Sequence, residues 1–210
     1  VKGGLIVMLS RLLRLPFVAI ITPLCRLLLK LRISPNAVTF FGAVASCVAS
    51  LLTFPFNHLE WGTWLVTAFV LFDLLDGTMA RLSSVGASLW GAFLDSTLDR
   101  VSDGALLIAL ALYANKYAPR LLPVILIALL AGSLVSYLRA RAEGLGLECK
   151  GGIAERTDRL IVALVATGFA GLGVHYIFAV GMWILASASV ITVLQRYGII
   201  YQQTRLTSHK

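Results

Sequence analysis

An all-α integral membrane fold, six transmembrane helices preceded by an amphipathic juxtamembrane helix, is predicted by three observations. First, 59% of the 210 residues are hydrophobic, mean hydropathy is +0.88, and only 13% are charged, against about 25% in soluble globular domains. Second, apolar runs of helical length recur along the chain, each long enough to cross a bilayer or nearly so. Third, Lys and Arg gather between alternate runs, as they do on the cytoplasmic side of membrane proteins.

The elements follow in order. Val1 is not an initiator, and Val1 to Val7 are expected to be a non-native addition ahead of Met8. Residues 8–32 carry Arg11, Arg14, Arg26, Lys30 and Arg32 among Leu, Ile, Val and Phe. That pattern suits a basic amphipathic helix at the membrane surface, its cations reaching to the headgroups; a short, charged first span is the alternative. Ser34 and Pro35 then open a helix, as a cap and a first-turn residue. The spans are read at about Asn36–Phe54, Trp61–Arg81, Ser88–Tyr113, Leu121–Leu138, Leu160–Leu172 and Ile177–Leu194. They form a six-span domain over residues 33–200, followed by a tail at 201–210.

Orientation comes from the basic residues. With six spans, one side receives fifteen of the eighteen Lys and Arg; Lys116 and Arg120 fall opposite, and Arg100 lies inside a span. Both termini are therefore expected in the cytoplasm, in a multi-pass protein of the plasma membrane. Basic residues that flank spans do not make a nucleic-acid-binding face. Cys25, Cys47 and Cys149 have neither metal-ligand nor disulfide spacing. His58, His175 and His209 fall at turns or in the tail, where interfacial placement is the ordinary reading.

Against this background the aspartates stand out. Four of the six, Asp73, Asp76, Asp95 and Asp99, sit in two apolar spans joined by a short loop, and Asp103 follows one turn later. Carboxylates at membrane depth are costly and by default mark function. Asp73 and Asp76 are spaced i, i+3 and Asp95 and Asp99 i, i+4, so each pair shares a helix face. At 1.5 Å rise per residue they lie about 9–16 Å in from the connecting loop, at matching depths on antiparallel helices. Four such charges require cations between them. Hard divalent ions, Mg²⁺, Mn²⁺ or Ca²⁺, choose carboxylate oxygens, and the lack of nearby His or Cys ligands argues against zinc. Gly77, Gly86 and Gly91 permit close backbone approach of a ligand, and Arg81 suits phosphate. Together these point to a diphosphate substrate and metal-assisted phosphoryl transfer. Two other readings use the same residues. In one the acids are ion-paired to Arg81 and Arg100, which leaves the pairing incomplete; in the other they line the path of a divalent-cation transporter.

The pattern Asp73-x-x-Asp76-Gly77-x-x-Ala80-Arg81, nine residues, Gly91-x-x-x-Asp95-x-x-x-Asp99 resembles, without departure, the signature of the CDP-alcohol phosphotransferases. The resemblance implies a six-span fold with a polar cavity open to the cytoplasm, a homodimer, and two Mg²⁺ or Mn²⁺ ions. It implies Asp73, Asp76, Asp95 and Asp99 as the metal site, with Asp99 also the general base. Gly77, Ala80, Arg81 and Gly91 would receive the CDP moiety, with Gly86 a weaker candidate outside the signature.

The acceptor is sought in the remaining basic residues. Arg139, Arg156 and Arg196 close or open three different spans on the same side, which suits a second phosphate. From Pro16 to Arg196 the chain is similar to the phosphatidylinositol phosphate synthases of actinobacteria, through Ser136-Tyr-Leu-Arg139-Ala-Arg-Ala-Glu, Gly-Gly-Ile-Ala-Glu-Arg156 and Ser189-Val-Ile-Thr-Val-Leu-Gln-Arg196. That resemblance implies CDP-diacylglycerol as donor and inositol 1-phosphate as acceptor, the latter's phosphate held by Ser136, Arg139, Arg156 and Arg196. Phosphatidylglycerol phosphate synthesis, with glycerol 3-phosphate as acceptor, is the alternative within the enzyme class.

Overall fold

The computed structural model describes residues 21–82, 88–149 and 151–207; the side chains of Phe72, Asp73, Leu74, Asp76, Ala80, Leu206 and Thr207 lie outside that description. The expected segment Val1 to Val7, the first part of the juxtamembrane helix, Gly86 and residues 208–210 are therefore outside the described residues. Among the described residues the regular structure is helical throughout. Residues 21–30 form α1. Then come α2 (Pro35–Thr53), α3 (Leu59–Val70), α4 (Phe72–Leu82), α5 (Leu89–Tyr117), α6 (Leu122–Gly144), α7 (Arg156–Gly171) and α8 (His175–Thr207).

The helix starts follow from local chemistry. Arg32 takes a left-handed φ of 59°, which ends α1. The amide of Ala37 donates to Ser34 Oγ at 3.2 Å, the cap that the Ser-Pro pair predicts. Ser88 does the same for α5, accepting from the amide of Gly91 at 2.9 Å. At α7 the amide of Glu155 donates to Asp158 Oδ2 at 3.0 Å, half of a reciprocal cap.

Three helical stretches among the described residues, Pro35–Phe56, Pro119–Gly144 and His175–Arg205, are long and apolar enough to cross a membrane by length and composition. Helix α5 has 29 residues, ample length, but Asp95, Asp99, Arg100 and Asp103 interrupt its apolar run. The expected second span is divided at Leu71 into α3 and α4. The chain beyond Leu194 stays helical, since α8, 33 residues long from His175, runs on to Thr207. No Pro interrupts it, and its last turns are tied to the preceding loop by side-chain hydrogen bonds described below.

The helices group into two compact units, residues 1–46 with 68–99, and residues 47–67 with 100–210. In the first, Cys25, Val38, Leu75 and Met79 form a buried core onto which Ile21, Leu28, Leu29 and Ile33 pack. Ile21, Cys25, Leu28 and Leu29 are one stripe of α1. Leu24 and Leu27 on its remaining surface are exposed, which lipid tolerates and water does not. The Cys25 thiol donates to the Leu75 carbonyl at 3.6 Å. This core sets the roll of α4. Leu75, Thr78 and Met79 are buried. At about 100° per residue, positions 73, 76, 77 and 80 fall on the opposite side of that helix.

In the second unit α8 packs against both α6 and α7. Small residues make the approach close, as in membrane helix pairs. A β-carbon on Gly181 of α8 would overlap that of Ala166 on α7, and one on Gly171 would lie 2.5 Å from the backbone nitrogen of Glu60. Buried hydroxyls are satisfied within their own helices: Thr167 donates to the Ala163 carbonyl and Ser189 to that of Leu185, both at 2.7 Å. Outward positions such as Leu130, Phe169, Trp183 and Leu194 are apolar and exposed, the pattern of a surface solvated by lipid.

Candidate functional site

The aspartate signature lies wholly in the first unit. Asp73 and Asp76 are on α4, and Asp95 and Asp99 on α5. The helical spacing on which a shared face depends is therefore present in both helices. The Asp95 side chain is exposed and that of Asp99 half-buried. How the side chains of Asp73, Asp76 and Ala80 are placed lies outside the description. Gly77 is exposed, and a β-carbon there would meet nothing within 4 Å. Arg81 is exposed, and its Nε donates to the Gly77 carbonyl one turn back at 2.9 Å. Gly91 is in close packing: a β-carbon would fall 2.9 Å from Asn36 Oδ1 and 3.1 Å from Ser88 Oγ.

The expected acceptor residues lie in the second unit, and each is already engaged. Arg139, near the end of α6, pairs through Nε with Glu143 Oε1 at 2.9 Å, with both side chains more than half exposed. Ser136 donates to the Gly132 carbonyl at 3.4 Å. Arg196 is 5% exposed. Its Nε donates to the Gly151 carbonyl at 3.1 Å and its Nη1 to the Val135 carbonyl. A buried guanidinium thus bridges a loop and a helix, one residue from Ser136. Arg156, the first residue of α7, donates through Nε to both carboxylate oxygens of Asp103, at 3.2 and 3.3 Å.

Asp103 is the residue that sequence reasoning left without a role. Its position one helical turn past Asp99 was the available signal. Arg156, Arg100 and Arg159 all act electrostatically on its carboxylate, and Arg196 and Arg156 act on Arg159. Arg156, Arg159 and Arg196 are therefore brought together, whereas Arg139 takes its own partner along α6. A cavity of about 40 Å³, lined by Arg100, Asp103, Ser133 and Arg159 among apolar side chains, lies beside the cluster. It has room for a few waters.

The loop that delivers Arg156 is strapped to α8. The Ala154 amide donates to Thr192 Oγ1 and the Ile153 amide to Gln195 Oε1, both at 3.1 Å. Farther along, the Glu148 amide donates to Gln203 Oε1 at 3.1 Å, and Gln203 Nε2 returns a bond to the Glu148 carbonyl. Thr192, Gln195 and Gln203 support this loop, a part hydropathy could not reveal, because they read as ordinary polar residues near the end of a span or in the tail.

A family model described as CDP-alcohol phosphatidyltransferase matches residues 32–194. The chain belongs to the CDP-alcohol phosphatidyltransferase family. Within that family it is 40% identical over 186 residues to the phosphatidylinositol phosphate synthase of Corynebacterium glutamicum, covering 87% of this chain and 84% of that protein. To the synthase of the same description from Mycobacteroides abscessus it is 43% identical over 183 residues, covering 86% and 83%. Among solved structures it is similar to the Mycobacterium tuberculosis phosphatidylinositol phosphate synthase with CDP-DAG bound. There the TM-score is 0.82 and identity 41%, with 87% of this chain and 94% of that one covered. The same mycobacterial enzyme in complex with manganese and citrate gives a TM-score of 0.82 at 40% identity, covering 86% and 88%. A phosphatidyltransferase match over 32–194 spans the whole aspartate signature together with Ser136, Arg139 and Arg156.

Proposed function

We propose that this chain transfers a phosphatidyl group from CDP-diacylglycerol to inositol 1-phosphate, giving phosphatidylinositol phosphate and CMP. The observation that carries the reading is that one family match contains the complete aspartate signature together with Ser136, Arg139 and Arg156 of the second unit, at about 40% identity to synthases of that name.

The donor set fits a hard divalent ion: oxygen ligands on two helices, with Asp95 exposed to receive one. Asp73, Asp76 and Asp95 would hold Mg²⁺ or Mn²⁺, two ions by the logic of phosphoryl transfer, with Asp99 beside them. When bound, the metal neutralises the diphosphate and stabilises the departing nucleotide. Gly77, whose α-carbon faces open space, lets the nucleotide approach the α4 backbone, with Ala80, Arg81, Gly86 and Gly91 assigned to the same moiety. Asp99 takes the proton of the acceptor hydroxyl. The freed oxygen forms the new bond to the lipid-side phosphorus. The bond from that phosphorus to the bridging oxygen breaks, and CMP leaves with the electron pair. Ser136, Arg139, Arg156 and Arg196 are assigned to the acceptor phosphate, Arg196 in part by holding the loop next to it.

The topology proposed is six spans: α2, α3 with α4, α5, α6, α7 and α8. Both termini and the reaction face the cytoplasm at the plasma membrane, and the protein is a homodimer. The lipid tails of the donor stay in the bilayer throughout. The test is CMP release by the purified full chain with CDP-diacylglycerol and either Mg²⁺ or Mn²⁺. Release is expected with inositol 1-phosphate and absent after chelation. Release with glycerol 3-phosphate and none with inositol 1-phosphate would overturn the acceptor. Divalent-ion flux through liposomes without CMP release would overturn the enzyme.

A further inference from the structure

We propose that Asp103 is a positioning residue for the acceptor site, fixing the direction in which Arg156 offers its guanidinium. The proposal rests on the reading of Arg156 as an acceptor-phosphate ligand. Three features of the geometry argue for it. The Arg156 Nε–H is shared between both oxygens of Asp103, at 3.2 and 3.3 Å, and this bond uses one of the five donors a guanidinium carries. Because Nε fixes the plane of the group, the bond sets where the Nη fork points, and fork geometry is what distinguishes arginine from lysine as a phosphate ligand.

The two residues also come from separate helices, 53 positions apart. Their side chains are 23% and 22% exposed, so solvent weakens the pair far less than it does Arg139 with Glu143. Arg156 stands at the first position of α7, directly after the strapped loop, where backbone packing alone leaves a long side chain free to swing. Asp103 is an anchor from outside that loop.

Charge supplies the third argument. Arg100, Arg156 and Arg159 all act on the Asp103 carboxylate, while Arg159 also feels Arg156 and Arg196 as like charges. Gathering these cations without a phosphate present requires a counter-charge, and Asp103 provides one. Its single negative charge meets three arginines, with Arg196 acting on one of them, so an arriving phosphate monoester dianion still finds a cationic site. A metal-binding role is a poorer account of Asp103, since its carboxylate is already bonded to Arg156.

The test is steady-state kinetics of the full chain in detergent or liposomes, with each substrate varied in turn. Asp103→Ala is expected to raise KM for inositol 1-phosphate about tenfold, as loss of a supporting residue behind a ligand does, while changing KM for CDP-diacylglycerol less than twofold. Asp103→Asn keeps an oxygen for the Arg156 Nε–H and is expected to lie between the wild type and Asp103→Ala. It also serves if Asp103→Ala does not fold. In an Arg156→Ala background, either change should add little. A parallel rise in both KM values, or an unchanged acceptor KM while Arg156→Ala raises it, would overturn the role of Asp103 and leave that of Arg156 standing. An unchanged acceptor KM in Arg156→Ala itself would overturn the assignment of Arg156, and this proposal with it.

Discussion

Gly152 packs so closely against Thr192 that any β-carbon would overlap Cγ2 of the threonine. The same residue has a φ of 124°, which side chains disfavour. Both constraints fall where the loop before α7 lies on α8, between the bonds of Gly151 to Arg196 and of Ile153 to Gln195. Gly152→Ala should cost about 1–3 kcal/mol from the backbone alone and displace Arg156 from its place at the head of α7. The measurement is thermal unfolding beside acceptor KM: both should worsen while donor KM holds. A variant that unfolds and binds acceptor as the wild type does would show the strap to be dispensable.

Arg196 should not tolerate lysine. Its guanidinium serves the Gly151 and Val135 carbonyls from two nitrogens of one rigid plane, whereas an ammonium is a point donor on a flexible stem. Arg196→Lys keeps the charge and leaves one buried carbonyl poorly met, at a cost of about 1–3 kcal/mol. Lower thermal stability together with weaker inositol 1-phosphate binding is the expected result. If charge at the site were its sole contribution, Arg196→Lys would match the wild type in both.

Much of this was legible in the sequence, for definable reasons. Ser34 announced a helix start because capping is local and uses one residue's own oxygen. The aspartate signature was legible because carboxylates in an apolar run have few ordinary explanations. That the helix runs past Leu194 was not legible, because hydropathy follows burial in lipid, and α8 beyond Leu194 is held instead by polar bonds to a loop some forty to fifty-five residues earlier. The partners of Arg156 and Arg196 were hidden for a related reason. Arg139 bonds one turn along its own helix, a spacing the sequence offers. Arg156 and Arg196 bond to groups 53 and 45 positions away, and no local pattern carries such a pairing.

Asp99→Asn should separate chemistry from binding. The residue is half-buried on α5, and the amide is nearly the same size but cannot accept the acceptor's proton. CMP release is expected to fall about 10²–10⁴-fold, the usual range for a general base, with CDP-diacylglycerol binding changed much less. Binding measured by equilibrium titration of the detergent-solubilised protein gives the second number. Loss of donor binding as large as the loss of rate would make Asp99 a metal ligand first and a base second.

Gly91 admits a sharper test, because two explanations for it make opposite predictions. The signature assigns it to the nucleotide, whose approach a side chain would block. The packing offers another reason: a β-carbon would fall 2.9 Å from Asn36 Oδ1, the end of a side chain on α2, and 3.1 Å from Ser88 Oγ, which caps α5. Gly91→Ala should raise donor KM under either account. Adding Asn36→Ala removes the nearest obstruction inside the protein and leaves any obstruction to the nucleotide in place. Recovery of donor KM in the double variant would assign Gly91 to the seating of α5 against α2. Persistent loss, with thermal stability restored, would assign it to the nucleotide. The second outcome is expected, because the contacted atom of Asn36 terminates a flexible side chain that can move by a few tenths of an ångström, whereas the same methyl group would stand beside Asp95, one turn away on α5.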